Sequence, residues 1–426
     1  MTAPLLPELG AQDDDAAARK AYVPDPAPTS SARQDLFQCF FAANEMRLHF
    51  AAHSHHPWPD TSFEAHIQYW EDSARWADLK WEKKIFPIVV PDVQRMIADI
   101  LNLSKPRNIA FAPNTHEFVL RLLSCLPRPD QTGRPARILT TDSEFYSFDR
   151  QTRRMEEDGL ITVTRIATEP FDTYEERMAQ AAASGDYDLV FFSHVFFNSG
   201  YVTQDIDAIV RAVRNDDALV VIDGYHGFMA IPTDLSAVED RVFYLSGGYK
   251  YAMSGEGACF MHVPDGYAMR PINTGWFADI GSLGNEKSGE VPFAQDGFRF
   301  WGATFDPSGL YRMRAVLDLM ETQGITVEAI HNHVQAMQNY FIKRLPALKG
   351  TAIQAENLVI TDPSLRGHFL TFRTDQAGDI QGLLAHDNVI TDHRADRLRF
   401  GFGLYHDDGM IDCLIQAMEQ IVPKAS

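Results

Sequence analysis

Val220-Val221-Ile222-Asp223-Gly224-Tyr225-His226 and, 27 residues past its acid, Lys250 in Ser246-Gly247-Gly248-Tyr249-Lys250 decide how this chain folds. The first segment reads as an apolar strand that ends in an acid. The second follows another short apolar run, Val242-Phe243-Tyr244-Leu245. Ser254-Gly255-Glu256-Gly257-Ala258 then leads into a further strand, which implies a tight return, and the small residues before Lys250 let backbone approach a ligand. Alone, Asp223 reads as a turn or helix-capping acid, Lys250 as an exposed loop lysine and His226 as a core histidine. Their spacing and the buried strands before them favour a cofactor reading. A lysine forms an imine with the aldehyde of pyridoxal 5'-phosphate, and an acid keeps the pyridine nitrogen protonated so that the ring stores electrons. Burial near the imine would depress the lysine pKa as a nucleophile requires.

Working outward, short apolar runs at 108–111, 137–140, 162–166, 188–193, 219–223, 242–245 and 258–263 predict seven strands. Helical patterns at 117–125, 148–157, 174–183 and 206–214 lie between them. Runs such as Leu189-Val190-Phe191-Phe192 have no polar alternation, so these strands are buried on both faces. The expected fold class is α/β, a mainly parallel seven-stranded sheet with a smaller α+β C-terminal domain. Ligands of such sheets gather at the C-terminal strand ends, where Ser193 and Asp223 fall. After about residue 305, Asp306-Pro307 predicts a helix start with a capping acid and proline at the first position. Leu310, Met313, Leu317 and Met320 form its apolar stripe and Gly324 its stop; Ile330, Val334, Met337, Phe341 and Leu345 mark a second helix. Strands near 369–372 and 398–402 and helices near 380–385 and 411–421 complete the smaller part. The expected organisation is a flexible, Ala/Asp/Pro-rich arm over 1–35, a large cofactor-binding domain over 36–305 and a small domain over 306–426, with the start of the large domain free to pack on the small one.

A chain of 426 residues fits two cores better than one. Its formal charge of -20, without a basic stretch, argues against nucleic acid. Cys39, Cys125, Cys259 and Cys413 have no paired spacing, so neither a disulfide framework nor a zinc ribbon is implied. His53-Ser54-His55-His56 lacks an acidic or sulfur companion at ligand spacing, so no metal is expected. With no signal peptide and no run long enough to span a bilayer, the expected location is the cytoplasm.

Asp-x-x-His followed by Gly-Gly-Tyr-Lys, each flanked by apolar strands, resembles the aminotransferase class V superfamily of fold type I pyridoxal phosphate enzymes. Within it the chain is most similar to kynureninases, which place Tyr before the lysine and His after the acid. The resemblance runs from about His49 to the C-terminus. It implies that Asn114-Thr115-His116-Glu117 is the phosphate-binding turn, with Thr115 and His116 as contacts; a helix start favours an anion, although Asn114 or Thr115 also reads as a plain cap. It implies that Phe145 stacks on the pyridine ring, that Ser193 and His226 hydrogen-bond the cofactor, and that the Tyr249 hydroxyl reaches the phosphate. Trp276 and Thr304 match segments that complete the phosphate site from a dimer partner, which implies a homodimer with active sites at its interface. In Arg397-Leu398-Arg399-Phe400-Gly401-Phe402, alternation gives an apolar face and a cationic one. The family's carboxylate-binding arginine maps onto Arg399, whose planar fork suits that task; Arg394 and Arg397 read as surface charges. His53 and His55 fall on the loop that lines the family's substrate pocket.

The resemblance implies an amino-acid substrate and leaves the reaction open. The segment 389–396 has no cysteine where desulfurases carry their sulfur acceptor, which argues against that chemistry. His226 and Tyr249 lean toward kynureninase. Ala52-His53-Ser54-His55-His56 and Asn198-Ser199-Gly200 depart from that branch, which shows Gly-Asn-Ser-Leu-Gly and Arg-Thr-Gly types there. Transamination of a different amino acid is therefore the expected activity, with kynurenine hydrolysis as the alternative. A non-catalytic binding protein on this fold would keep the same acid and lysine.

Overall fold

The computed structural model describes residues 33–44, 47–267, 269–282 and 289–423. Most of the arm expected over 1–35 thus lies outside the described residues. Seven strands form one sheet: β1 Ile109–Ala112, β2 Ala136–Thr141, β3 Ile161–Ile166, β4 Leu189–Ser193, β5 Leu219–Asp223, β6 Val242–Gly247 and β7 Cys259–His262. Their order is β1-β7-β6-β5-β4-β2-β3. Only β7 is reversed, lying antiparallel to β1 and β6. Every residue of β1, β4, β6 and β7 is buried, as the unbroken apolar runs require. Each predicted strand appears, displaced by at most two residues at an end.

Helices cover this sheet and fix its loops. The described elements include α1 Thr61–Trp76, α2 Thr115–Leu123, α3 Tyr146–Glu157, α4 Ser308–Thr322, α5 Val327–Arg344, α6 Ala377–His386 and α7 Asp408–Ile421. The predicted start at Asp306-Pro307 shifts by one residue: Pro307 is the cap and Ser308 opens α4. The Asp306 carboxylate accepts from the Ser308 N–H and hydroxyl, both at 2.9 Å, a local turn that holds the chain back from helix. Gly324 ends the segment in the left-handed region at φ +64.

A second sheet joins β8 Phe369–Arg373, β9 Asp392–Arg394 and β10 Arg397–Gly401 in the order β9-β10-β8, all antiparallel. The apolar side of β10, Leu398 and Phe400, joins Phe372, Phe341, Leu384 and Ile411 in a core separate from that of the large sheet. The two cores meet inside α5: Ile330 belongs to the first and Val334 to the second. Phe50 also enters the second core, and Leu48–His49 pairs in parallel with Val389–Ile390. This carries the loop at 51–56 over the polar face of β10, where Gly401 N donates to the Phe50 carbonyl at 2.7 Å.

Candidate active site

The central strands end level with one another, Ser193 opposite Asp223 and Asp223 opposite Leu245. One Asp223 oxygen accepts from the Tyr225 N–H at 2.9 Å. Beyond β6 the chain turns through Gly248 and Tyr249 to Lys250. The return is tight: Gly248 N donates to the Ala258 carbonyl at 2.9 Å and Ser254 N to the Gly248 carbonyl at 2.8 Å. A Cβ at Gly247 would overlap Cys259 Sγ and the Tyr225 hydroxyl; one at Gly248 would meet the Gly255 carbonyl at 2.5 Å. The small residues expected to admit a ligand are therefore required first by this turn's own packing.

Lys250 is buried, with Nζ 2.6 Å from His226 Nε2. Its amine lies 4.7 Å from the Tyr225 ring centre, 5.5 Å from Phe145 and 5.7 Å from Tyr249. Burial lowers the Lys250 pKa to about 7, against the pull of Asp223. Burial also raises the Asp223 carboxyl, opposed by the Tyr225 N–H and by Lys250. The same desolvation, reinforced by Lys250, holds His226 well below the usual imidazole range. The pair is thus a neutral ring facing an amine that deprotonates near neutrality.

Asn114 caps α2 by accepting from Glu117 N at 3.0 Å, which sets Thr115 and His116 at the helix start. Phe145 precedes α3 and meets Phe197 edge-on at 5.4 Å. Ser193 gives its hydroxyl proton to Glu144 at 2.6 Å, and Glu144 also accepts from Thr141 at 2.6 Å and Ser193 N at 3.2 Å. Burial raises the Glu144 carboxyl to about 8. Tyr249 stacks on His55 at 4.7 Å, whose side chain is otherwise open to solvent and 3.4 Å from Glu256. Trp276 and Thr304 are joined by a 3.2 Å hydrogen bond, and Trp276 is 46% exposed.

Arg399 and His53 converge on one acid. Arg399 Nε lies 2.7 Å from Asp392 Oδ1, Nη2 donates to Oδ2 and Nη1 to the Phe197 carbonyl. His53, fully buried, approaches Asp392 Oδ1 at 3.0 Å and stacks on Phe369 at 4.6 Å. Desolvation brings His53 down to about 4, while Asp392 is held far below the carboxylate range by His53 and Arg399 against its own burial. The His53 and His226 rings are 6.5 Å apart, so the loop at 51–56 reaches the lysine from the arginine side.

The aminotransferase class-V family pattern matches residues 82–378, from before β1 to the start of α6. The chain belongs to the aminotransferase class-V family. Among solved structures, the cystine C–S lyase C-DES in complex with its product cysteine persulfide is 18% identical with a TM-score of 0.75, covering 90% of this chain and 100% of that one. Apo cysteine desulfurase from Thermococcus onnurineus NA1 is 14% identical with a TM-score of 0.73, covering 91% and 98%. The cysteine desulfurase CsdA of Escherichia coli is 16% identical with a TM-score of 0.68, covering 90% and 97%. At such identities the likeness carries the fold, fold type I, and the resemblance to kynureninases stays a reading of the sequence. No curated protein matches the chain.

Class-V enzymes use pyridoxal 5'-phosphate, and the residues here fit it. A buried amine tuned toward neutrality lies beside a carboxylate at a strand end. The buried Nδ1 atoms of His116 and His226 have no hydrogen-bond partner among the described residues and are open to a polar ligand. Among the described residues there is no cluster of potential metal ligands, and no helix is long and apolar enough to cross a membrane. Glu144, Tyr225 and Asp392 escaped the sequence reading. Glu144 sits directly before Phe145 in a strand-to-helix turn, a signal that was available; the roles of Tyr225 and Asp392 emerge only from tertiary contact.

Proposed function

We propose that this class-V protein is a pyridoxal phosphate enzyme that transaminates an α-amino acid, with Lys250 as the proton-moving base. The observation that supports this most is the Lys250 amine near pH 7, buried 2.6 Å from a neutral His226. When bound, the cofactor supplies an electron sink for the substrate's α-carbon. Lys250 removes and returns the proton there, its pKa matched to neutral pH. Asp223 carries the negative charge that a protonated ring nitrogen needs, and Phe145 and Tyr225 wall the amine off from water. Thr115, His116 and Tyr249 hold the phosphate, with Ser193 and His226 toward the ring. Arg399 takes the substrate carboxylate, and His53 and His55 line the approach. The exposed Trp276–Thr304 pair suits a homodimer in which each copy completes its neighbour's phosphate site.

A second reading, cleavage of the β–γ carbon bond of kynurenine, draws on His226 and Tyr249. Incubation with a panel of amino acids and a 2-oxo acid acceptor separates the two. Stoichiometric exchange to a new keto acid supports transamination. Anthranilate and alanine from kynurenine, with no keto acid, would replace it.

A further inference from the structure

Alternation places Asp392 and Arg394 on one face of β9, and the register sets Arg399 and Arg397 opposite them on the same face. Arg397 is closed on Glu169 at 2.6 Å and on the Asn198 carbonyl at 3.2 Å. Arg399, its side chain 3% exposed, has every nitrogen engaged, two of them by Asp392. Arg394 differs. Its Nη1 donates to the His393 carbonyl at 2.7 Å and lies 3.4 Å from Asp392 Oδ2, and its Nε is buried without a partner among the described residues. A carboxylate of the protein thus sits in the fork of one arginine and at the edge of another.

The two-oxygen fork that Asp392 fills is the feature that suits Arg399 to a substrate carboxylate, and two carboxylates cannot share it. Asp392 is ionised throughout the ordinary pH range, so protonation does not release it. Displaced from Arg399, it has a receiver at hand in Arg394, whose Nη1 already lies 3.4 Å from its Oδ2, while His53 holds its other oxygen. We propose that Asp392 is a specificity-determining residue, an internal carboxylate that competes with the substrate's for Arg399 and passes to Arg394 when displaced. This rests on the reading that Arg399 binds the substrate carboxylate. Its consequence is a threshold. An amino acid whose only handle is its carboxylate exchanges one ion pair for an equivalent one and gains little; a substrate needs side-chain contacts to drive the exchange.

The test is titration of the cofactor-loaded protein with glycine, and with methylamine as a probe lacking the carboxylate, followed by cofactor absorbance. Asp392→Asn is expected to tighten glycine about tenfold or more and leave methylamine unchanged. Arg394→Gln is expected to weaken glycine in the natural background and to have no effect when combined with Asp392→Asn. Unchanged or weaker glycine binding in Asp392→Asn overturns the proposal. If that variant fails to fold, unaltered glycine binding in Arg394→Gln does so. Arg399→Ala separates the two levels: if glycine binding ignores it, the underlying carboxylate assignment is wrong; if glycine binding collapses while Asp392→Asn does not tighten it, only the competition fails.

Discussion

The two halves of the site are built by opposite rules. At the strand ends, Asp223 and Lys250 come from neighbouring strands of one sheet, and burial leaves the amine near neutrality with few partners. At the β9–β10 hairpin, charges are packed against countercharges until Arg399 has nothing left to offer. Desolvation dominates the first region and pairing the second. On the proposed reading the first is arranged to react and the second to discriminate, since a satisfied ion pair yields only to a ligand that replaces it well.

Breaking the strand-end half should have the largest effect. Lys250→Ala is expected to lower turnover by roughly 10²–10⁴-fold or more, since the amine is the proposed base, and appreciable residual activity would remove it from that role. On the hairpin side, Arg399→Ala is expected to raise KM by about two orders of magnitude, with the smaller change in kcat. An unchanged KM would mean that the fork is structural only.

Titration sharpens the contrast further. The Lys250 pKa is lowered to about 7, so the free amine that captures the cofactor should appear as pH rises through about 7. Uptake of pyridoxal phosphate by the apoprotein, followed by absorbance, should share that midpoint; a midpoint near the ordinary lysine value would contradict the burial argument. The smallest effect belongs to Glu144, whose pKa rises from the ordinary 4.5 to about 8 in the folded chain. Its contribution to stability is full below the unfolded value and lost as pH rises through about 8. Glu144→Gln should flatten the fall in urea midpoint between about pH 5 and 8, and an equally steep fall would exclude this group as its source.

Legibility followed the same division. The strand-end half could be read from the sequence because apolar runs mark the strands and the acid and lysine close them, a local pattern with one geometric outcome. Asn114 as a cap and Gly324 as a stop were legible for the same reason. The hairpin half was not. Alternation put Arg397 and Arg399 on one face and the family resemblance singled out Arg399, but Asp392 was noticed only for not being cysteine, and Arg394 read as a surface charge. Their pairing depends on register between β9 and β10 and on a loop some 340 residues earlier in the chain, His53 being 339 positions from Asp392. The glycines before Lys250 were read as admitting a ligand; the packing of Gly247 on Cys259 and Tyr225, which also requires a small residue there, was not legible.

The most direct test of the central claim is borohydride reduction of the cofactor-loaded protein followed by peptide mapping. The expected result is a single pyridoxyl adduct, on Lys250. An adduct on any other lysine, or none, would contradict it.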